Sequence, residues 1–216
     1  GVAERLRQVG VTAFILKYRL AEYGHPAPLQ DVLRAIRLVR SRAAEFGLRA
    51  DRIGVMGASA GGHVAASAAT LFEAEEGRTK AAIDAGSARP DFAVLLYPVI
   101  TMRPPLAHEG SRRNLLGERP SDELVGRVSL EDRVSSSTPP VFIVHAADDR
   151  TVAIQNSILF YEALLKAQVS AELHLYEHGP HGFGTATGLG PISLWVDRWF
   201  DWMRAHGWLT DPGDQL

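Results

Sequence analysis

Ile53-Gly54-Val55-Met56-Gly57-Ala58-Ser59-Ala60-Gly61-Gly62-His63, running on through an alanine-rich stretch to Phe72, decides how this chain is read. Residues 53–72 contain no Asp, Glu, Lys or Arg. By count the run is long enough to cross a bilayer. The glycines at 54, 57, 61 and 62 and the strand-like opening Ile53–Met56 exclude a membrane helix. The better reading is a short strand, a sharp turn and a helix over Ala60–Phe72. The turn holds Gly57-Ala58-Ser59-Ala60-Gly61, which fits G-x-S-x-G, a serine placed on a strained strand-to-helix corner. Small residues on either side prevent clashes where the backbones crowd. The helix N-terminus that follows favours negative charge developing beside the serine oxygen.

Outward from this stretch, strand and helix patterns alternate. That is the mark of βαβ units, hence an α/β fold with a mainly parallel sheet flanked by helices. The pattern predicts a short helix over Val2–Val9, a buried strand at Val11–Leu16 and a loop over Tyr23–Pro28. Leu29–Phe46 reads as one long amphipathic helix, with Val32, Leu33, Ile36 and Val39 at helical spacing and Gly47 as its stop. Further strands are expected at Phe92–Leu96, Val141–His145 and Glu172–Tyr176, five in all, with helices over Ile154–Ala167 and Ile192–Arg204. Residues 98–140 break the rhythm: they hold six of the twelve prolines and only short helical patterns near Ser111–Leu116 and Ser121–Val128. Strands resume on both sides, so this segment reads as an irregular insertion near the site. The expected organisation is one domain over residues 1–210 and a frayed tail at 211–216.

Composition narrows the function. The chain has 216 residues, 46% hydrophobic and 22% charged, ordinary values for a globular domain that needs no disulfide or metal to hold its core. Lys plus Arg is 23 against 25 for Asp plus Glu, a net charge of −2. No basic excess exists to meet nucleic acid or an anionic membrane, and neither is expected as a partner. There is no cysteine, which excludes thiol catalysis, thiolate metal sites and disulfides. From Gly1 no signal-peptide pattern is visible.

A serine nucleophile needs a base, and the base needs an acid that orients it. The chain order on this kind of scaffold is Ser, then Asp or Glu, then His. The strand Val141–His145 runs into Asp148-Asp149-Arg150-Thr151-Val152, where a carboxylate past the C-terminal end of a strand belongs. Glu177-His178-Gly179-Pro180-His181-Gly182-Phe183-Gly184 follows the last strand. Asp148 and Asp149 compete for the acid role, and His178 and His181 for the base. His181, flanked by glycine on a loop that can reach across the sheet edge, is favoured. A metal held by His178 and His181 lacks a third ligand at suitable spacing. No metal or organic cofactor is called for.

These residues resemble the α/β-hydrolase superfamily, and within it the acetyl-xylan-esterase-like carbohydrate esterases. The likeness runs from Gly1 to about Leu209. It rests on Tyr18-Arg19-Leu20, His25 to Asp31, Arg52 to His63, Leu95 to Ile100, Ser111 to Gly117, Thr138-Pro139-Pro140 and His181-Gly182-Phe183-Gly184. It implies Ser59 as nucleophile, Asp148 as acid and His181 as base. It also implies a short acyl ester, often acetyl, on a xylan or related hemicellulose sugar as substrate. The alternatives are a general carboxylesterase or peptidase of the same fold.

One departure stands against the matches. Relatives supply half of the oxyanion hole from a glycine-rich loop after their third strand. This chain opens in the helix that should follow that loop, leaving the Ala60 N–H as one donor. Losing an oxyanion donor costs about 10²–10³ in turnover, so a catalytically crippled fragment is the contrary reading. The expectation is an N-terminally incomplete enzyme. In it, Val11–Leu16 either pairs with Ile53–Met56 or leaves an exposed sheet edge for a second copy to cover.

Other residues are read as structural. Trp195, Trp199 and Trp202 recur at helical spacing and are expected in the core. His63, one turn past Ser59, is read as packing locally, and His145, at a strand end close to Asp148, as a core residue with support of the acid as the alternative. Arg112 and Arg113 read as a solvated face.

Overall fold

The structure is a computed structural model that describes residues 1–210; the expected tail at 211–216 lies outside the described residues. Its helices and strands follow in the order α1 (Val2–Gln8), α2 (Ala27–Ser41), β1 (Gly54–Ala58), α3 (Ala60–Thr70), β2 (Phe92–Leu96), α4 (Glu109–Leu116), α5 (Asp122–Arg127), β3 (Val141–Ala146), α6 (Gln155–Lys166), β4 (Ala171–Tyr176) and α7 (Trp195–Ala205). The four strands form one parallel sheet in the order β1-β2-β3-β4.

Successive side chains of a strand point to opposite faces, and here each face has its own helices. Ala93, Leu95, Val141 and Ile143 pack with Leu33 and Ile36 of α2, Ala66 and Ala69 of α3, and Phe160 and Leu164 of α6. Val94, Leu96, Phe142 and Val144 pack on the other side with Leu6 of α1 and with Trp195, Trp199, Phe200 and Trp202 of α7. Both faces of β2 and β3 are therefore dry, which is why these strands read as unbroken apolar runs. The tryptophan stripe belongs to this core: Trp195, Trp199 and Trp202 are all buried.

Two expected elements differ. Val11–Leu16 is not a strand, so among the described residues the sheet has four strands and not five. Residues 12–16 are exposed, Ile15 to 84%, and no ladder forms beside β1 on that side among the described residues. An apolar run becomes a strand only where a neighbour takes its backbone hydrogen bonds. Of the run only Val11 reaches a core cluster; the next residue that does is Tyr18, two positions past its end. Helix α2 ends at Ser41, five residues before Phe46. The Ser41 hydroxyl donates to the Leu38 carbonyl, an internal competitor of the helix ladder. Of residues 42–47 only Ala43 is buried, so little packing favours further turns.

The segment 98–140 is tied down at its entry. Asn156, fully buried on α6, accepts from the N–H groups of Ile100 (2.9 Å) and Thr101 (3.1 Å) and donates to the Leu106 carbonyl. Val99, Met102, Val125, Val128 and Val152 form a small core of their own beneath α5. No helix among the described residues is long and apolar enough to cross a membrane.

Candidate active site

The site lies at the C-terminal ends of β1, β3 and β4, where the turns leave a parallel sheet. Ser59 sits at the corner between β1 and α3 with φ +55° and ψ −122°. Such a backbone costs about 1–3 kcal/mol in a non-glycine residue and needs fixing from both sides. The fixing is visible: the Ser59 N–H donates to the Leu96 carbonyl at 3.0 Å, and the Ser59 carbonyl accepts from Val99 N–H at 3.1 Å and His63 N–H at 3.3 Å. A Cβ on Gly57 would lie 2.0 Å from the Gly61 carbonyl oxygen, and one on Gly62 would meet Pro98 at 2.8 Å. The glycines at 57 and 62 are therefore steric requirements of the corner. Gly61 has open space, with Tyr18 Oη 4.0 Å away as its nearest neighbour.

His181 reaches this serine from the loop after β4. Its Nε2 is 2.8 Å from Ser59 Oγ, and its Nδ1 is 2.7 Å from Asp149 Oδ2. The structure thus brings Ser59 and His181 together with Asp149, and among the described residues Asp148 makes no hydrogen bond to that ring. The expected assignment of the acid to Asp148 is corrected on this geometry. The two carboxylates differ in burial and in partner. The Asp149 side chain is 2% exposed, whereas that of Asp148 is 49% exposed and bonds His178 Nδ1 at 3.0 Å and Gly179 N–H at 2.9 Å.

Asp149 is held by its own turn. Its Oδ1 accepts from Thr151 N–H (2.8 Å) and Val152 N–H (3.1 Å), an Asx-type closure. Burial pushes its carboxyl pKa up, but the His181 bond and these two N–H groups outweigh it and hold the group below the usual carboxylate range. His145 lies behind it, fully buried: Nε2 is 3.4 Å from Asp149 Oδ2 and 3.1 Å from the Val152 carbonyl, and Nδ1 is 2.8 Å from Ser157 Oγ. Burial lowers the His145 pKa, outweighing the pull of the Asp149 carboxylate. Tyr97, with φ +36° just past β2, sets its ring edge-on to His181 at 4.8 Å and to Phe183 at 4.6 Å. The sequence signal for Asp149 was the Asp-x-Thr turn. For Tyr97 there was none beyond its place at a strand end.

Ala60 is the first residue of α3, so its N–H has no partner within the helix and lies at the positive end of the helix dipole. Beside it opens a cavity of ≈ 310 Å³ walled by Tyr18, Leu20, His63, Met102 and Leu115, the last two from the segment 98–140. His63 is buried there, its Nδ1 has no hydrogen-bond partner among the described residues, and desolvation lowers its pKa to about 4. On the other flank of His181, an open cleft of ≈ 570 Å³ is lined by Asp148, Arg150, Thr151, His178 and Leu189.

Comparison with known proteins gives the family and the fold. The chain is 42% identical to a solved acetyl ester-xyloside bifunctional hydrolase from Caldicellulosiruptor lactoaceticus, with a TM-score of 0.92 over 97% of this chain and 76% of that one. It is 34% identical over 186 residues to an acetylxylan esterase from Xylanibacter ruminicola, covering 84% of this chain and 36% of that protein. It is 36% identical over 181 residues to endo-1,4-beta-xylanase B from Butyrivibrio fibrisolvens, covering 82% of this chain and 28% of that protein. The chain thus spans about a third of the length of these two curated relatives. Residues 2–164 match the BD-FAE family, and on that match, with its parallel sheet flanked by helices, the chain belongs to the BD-FAE family of α/β-hydrolases.

Proposed function

We propose that this chain is a serine esterase that removes short acyl groups, acetyl among them, from xylan or related hemicellulose sugars. The observation that carries the reading is the unbroken hydrogen-bonded chain Ser59–His181–Asp149. Ser59 Oγ attacks the ester carbonyl while His181 Nε2 takes its proton. Asp149 keeps the proton-bearing Nδ1 turned toward itself and stabilises the imidazolium that forms. The developing oxyanion is placed toward the Ala60 N–H at the start of α3. His181 then returns its proton to the departing sugar oxygen, and the acyl group remains on Ser59. Water, deprotonated by the same imidazole, attacks the acyl-serine. The carboxylic acid leaves and Ser59 recovers its proton.

The sugar class is supported by the similarity to the acetylxylan esterase and to the acetyl ester-xyloside hydrolase. The test compares acetate release from acetylated xylan with hydrolysis of p-nitrophenyl acetate and of an aminoacyl anilide. The reading expects turnover of the first two, lost in Ser59→Ala. Anilide cleavage without ester cleavage would replace it with a peptidase. A second copy over the edge strand β1 remains part of the proposal, and its measure is the sedimentation of the purified chain at micromolar concentration.

A further inference from the structure

The adjacent carboxylates Asp148 and Asp149 hold different parts of one loop. Asp149 bonds the His181 ring itself. Asp148 bonds the backbone two residues upstream of it, at Gly179 N–H, and the side chain of His178. Downstream, Phe183 is buried and the Gly184 carbonyl accepts from Trp195 Nε1 at 2.6 Å. His181 therefore rides on a short span, Pro180 to Gly182, between two anchors. Among the described residues, the bond to Asp148 is the one hydrogen bond made by a backbone N–H from Glu177 to Gly182. Gly179 also packs tightly against β3 and the turn before α7: a Cβ there would lie 3.1 Å from Ala146 and 2.5 Å from Ile192. The upstream anchor thus fixes both the height of the loop over β3 and its path toward Ser59.

We propose that Asp148 is a positioning residue, the upstream clamp that keeps His181 aligned between Asp149 and Ser59. This rests on the triad reading above. Alignment is what the clamp supplies, since a shift of about 1 Å in a proton-transfer pair costs on the order of 10²-fold in rate. The carboxylate stands half-exposed, so its replacement leaves the core untouched.

The test uses Asp148→Ala, Asp148→Asn and His178→Ala, with Ser59→Ala and His181→Ala as references. Readouts are kcat and KM on p-nitrophenyl acetate, the labelling rate with a fluorophosphonate, and the melting temperature. Asp148→Ala is expected to lower kcat and labelling together by roughly ten- to a hundredfold, with KM and melting nearly unchanged. Asp148→Asn keeps an acceptor for Gly179 N–H and is expected to restore most of the rate. His178→Ala keeps that bond and stays near wild type. Wild-type rates in Asp148→Ala, or an Asn variant as slow as the Ala variant, overturn the clamp while the triad stands. Full activity in His181→Ala overturns the triad reading, and the clamp with it.

Discussion

His145 Nε2 lies 3.4 Å from Asp149 Oδ2, the same oxygen that His181 bonds at 2.7 Å. One buried carboxylate oxygen is thus shared by two imidazoles, one fully enclosed and one facing the serine. The inner ring is anchored by Ser157 and the Val152 carbonyl, so the position of Asp149 is set from inside the sheet.

Asp149→Asn is expected to lower kcat by about 10⁴-fold, because an amide at this place favours the wrong tautomer of the base. Asp148→Asn is expected to lose far less. A kcat comparison of the two variants decides between the adjacent residues. Equal losses would remove the distinction drawn from the geometry.

Stability is expected to fall as pH drops from 6.5 toward 4. The folded pKa of His63 is lowered from its ordinary 6.5 to about 4 by burial, so in this window the unfolded chain takes up the proton and the folded chain does not. At 1.36 kcal/mol per pH unit, His63 alone accounts for roughly 3 kcal/mol of lost stability by pH 4. His25 and His145 are pushed the same way by burial and add to the slope. Urea titrations at a series of pH values should show a shallower acid limb for His63→Leu. An unchanged limb would contradict the assignment to His63.

Arg37 and Asp84 form an ion pair with side chains 2% and 7% exposed. Asp84 also accepts from Thr79 and Ala81 N–H, and Arg37 donates to the Gly86 carbonyl. Asp84→Ala strands the guanidinium and is expected to cost about 3–5 kcal/mol in urea unfolding. A cost below about 1 kcal/mol, typical of an exposed pair, would show that the pair is solvated.

The glycines around Ser59 are expected to separate in mutagenesis. Gly57→Ala places a methyl 2.0 Å from the Gly61 carbonyl oxygen and should abolish labelling of Ser59 or folding itself. Gly61→Ala meets only Tyr18 Oη at 4.0 Å and should fold with nearly wild-type stability. Thermal melts of both variants check this; equal destabilisation would contradict it.

The corner at Ser59 is legible in the sequence because its causes are local: a strand, small residues and a helix within twenty positions. The strands Phe92–Leu96 and Val141–Ala146 are legible for a related reason, since burial on both faces leaves an apolar run. Val11–Leu16 is similarly apolar and is not a strand, because strand formation depends on a neighbour that no local pattern encodes. The choice between Asp148 and Asp149 is likewise not local to their types. It is made by the turn that closes on Thr151 and Val152 N–H and rotates one carboxylate inward. The end of α2 at Ser41 follows from where packing stops, not from the next glycine, six residues on.

The central claim is that Ser59 is a nucleophile activated by His181. The most direct measurement is treatment of the chain with a fluorophosphonate, followed by mass analysis of its peptides. The account predicts one adduct, on Ser59, absent in Ser59→Ala and formed far more slowly in His181→Ala. No adduct, an adduct on another serine, or full esterase activity in Ser59→Ala would contradict it.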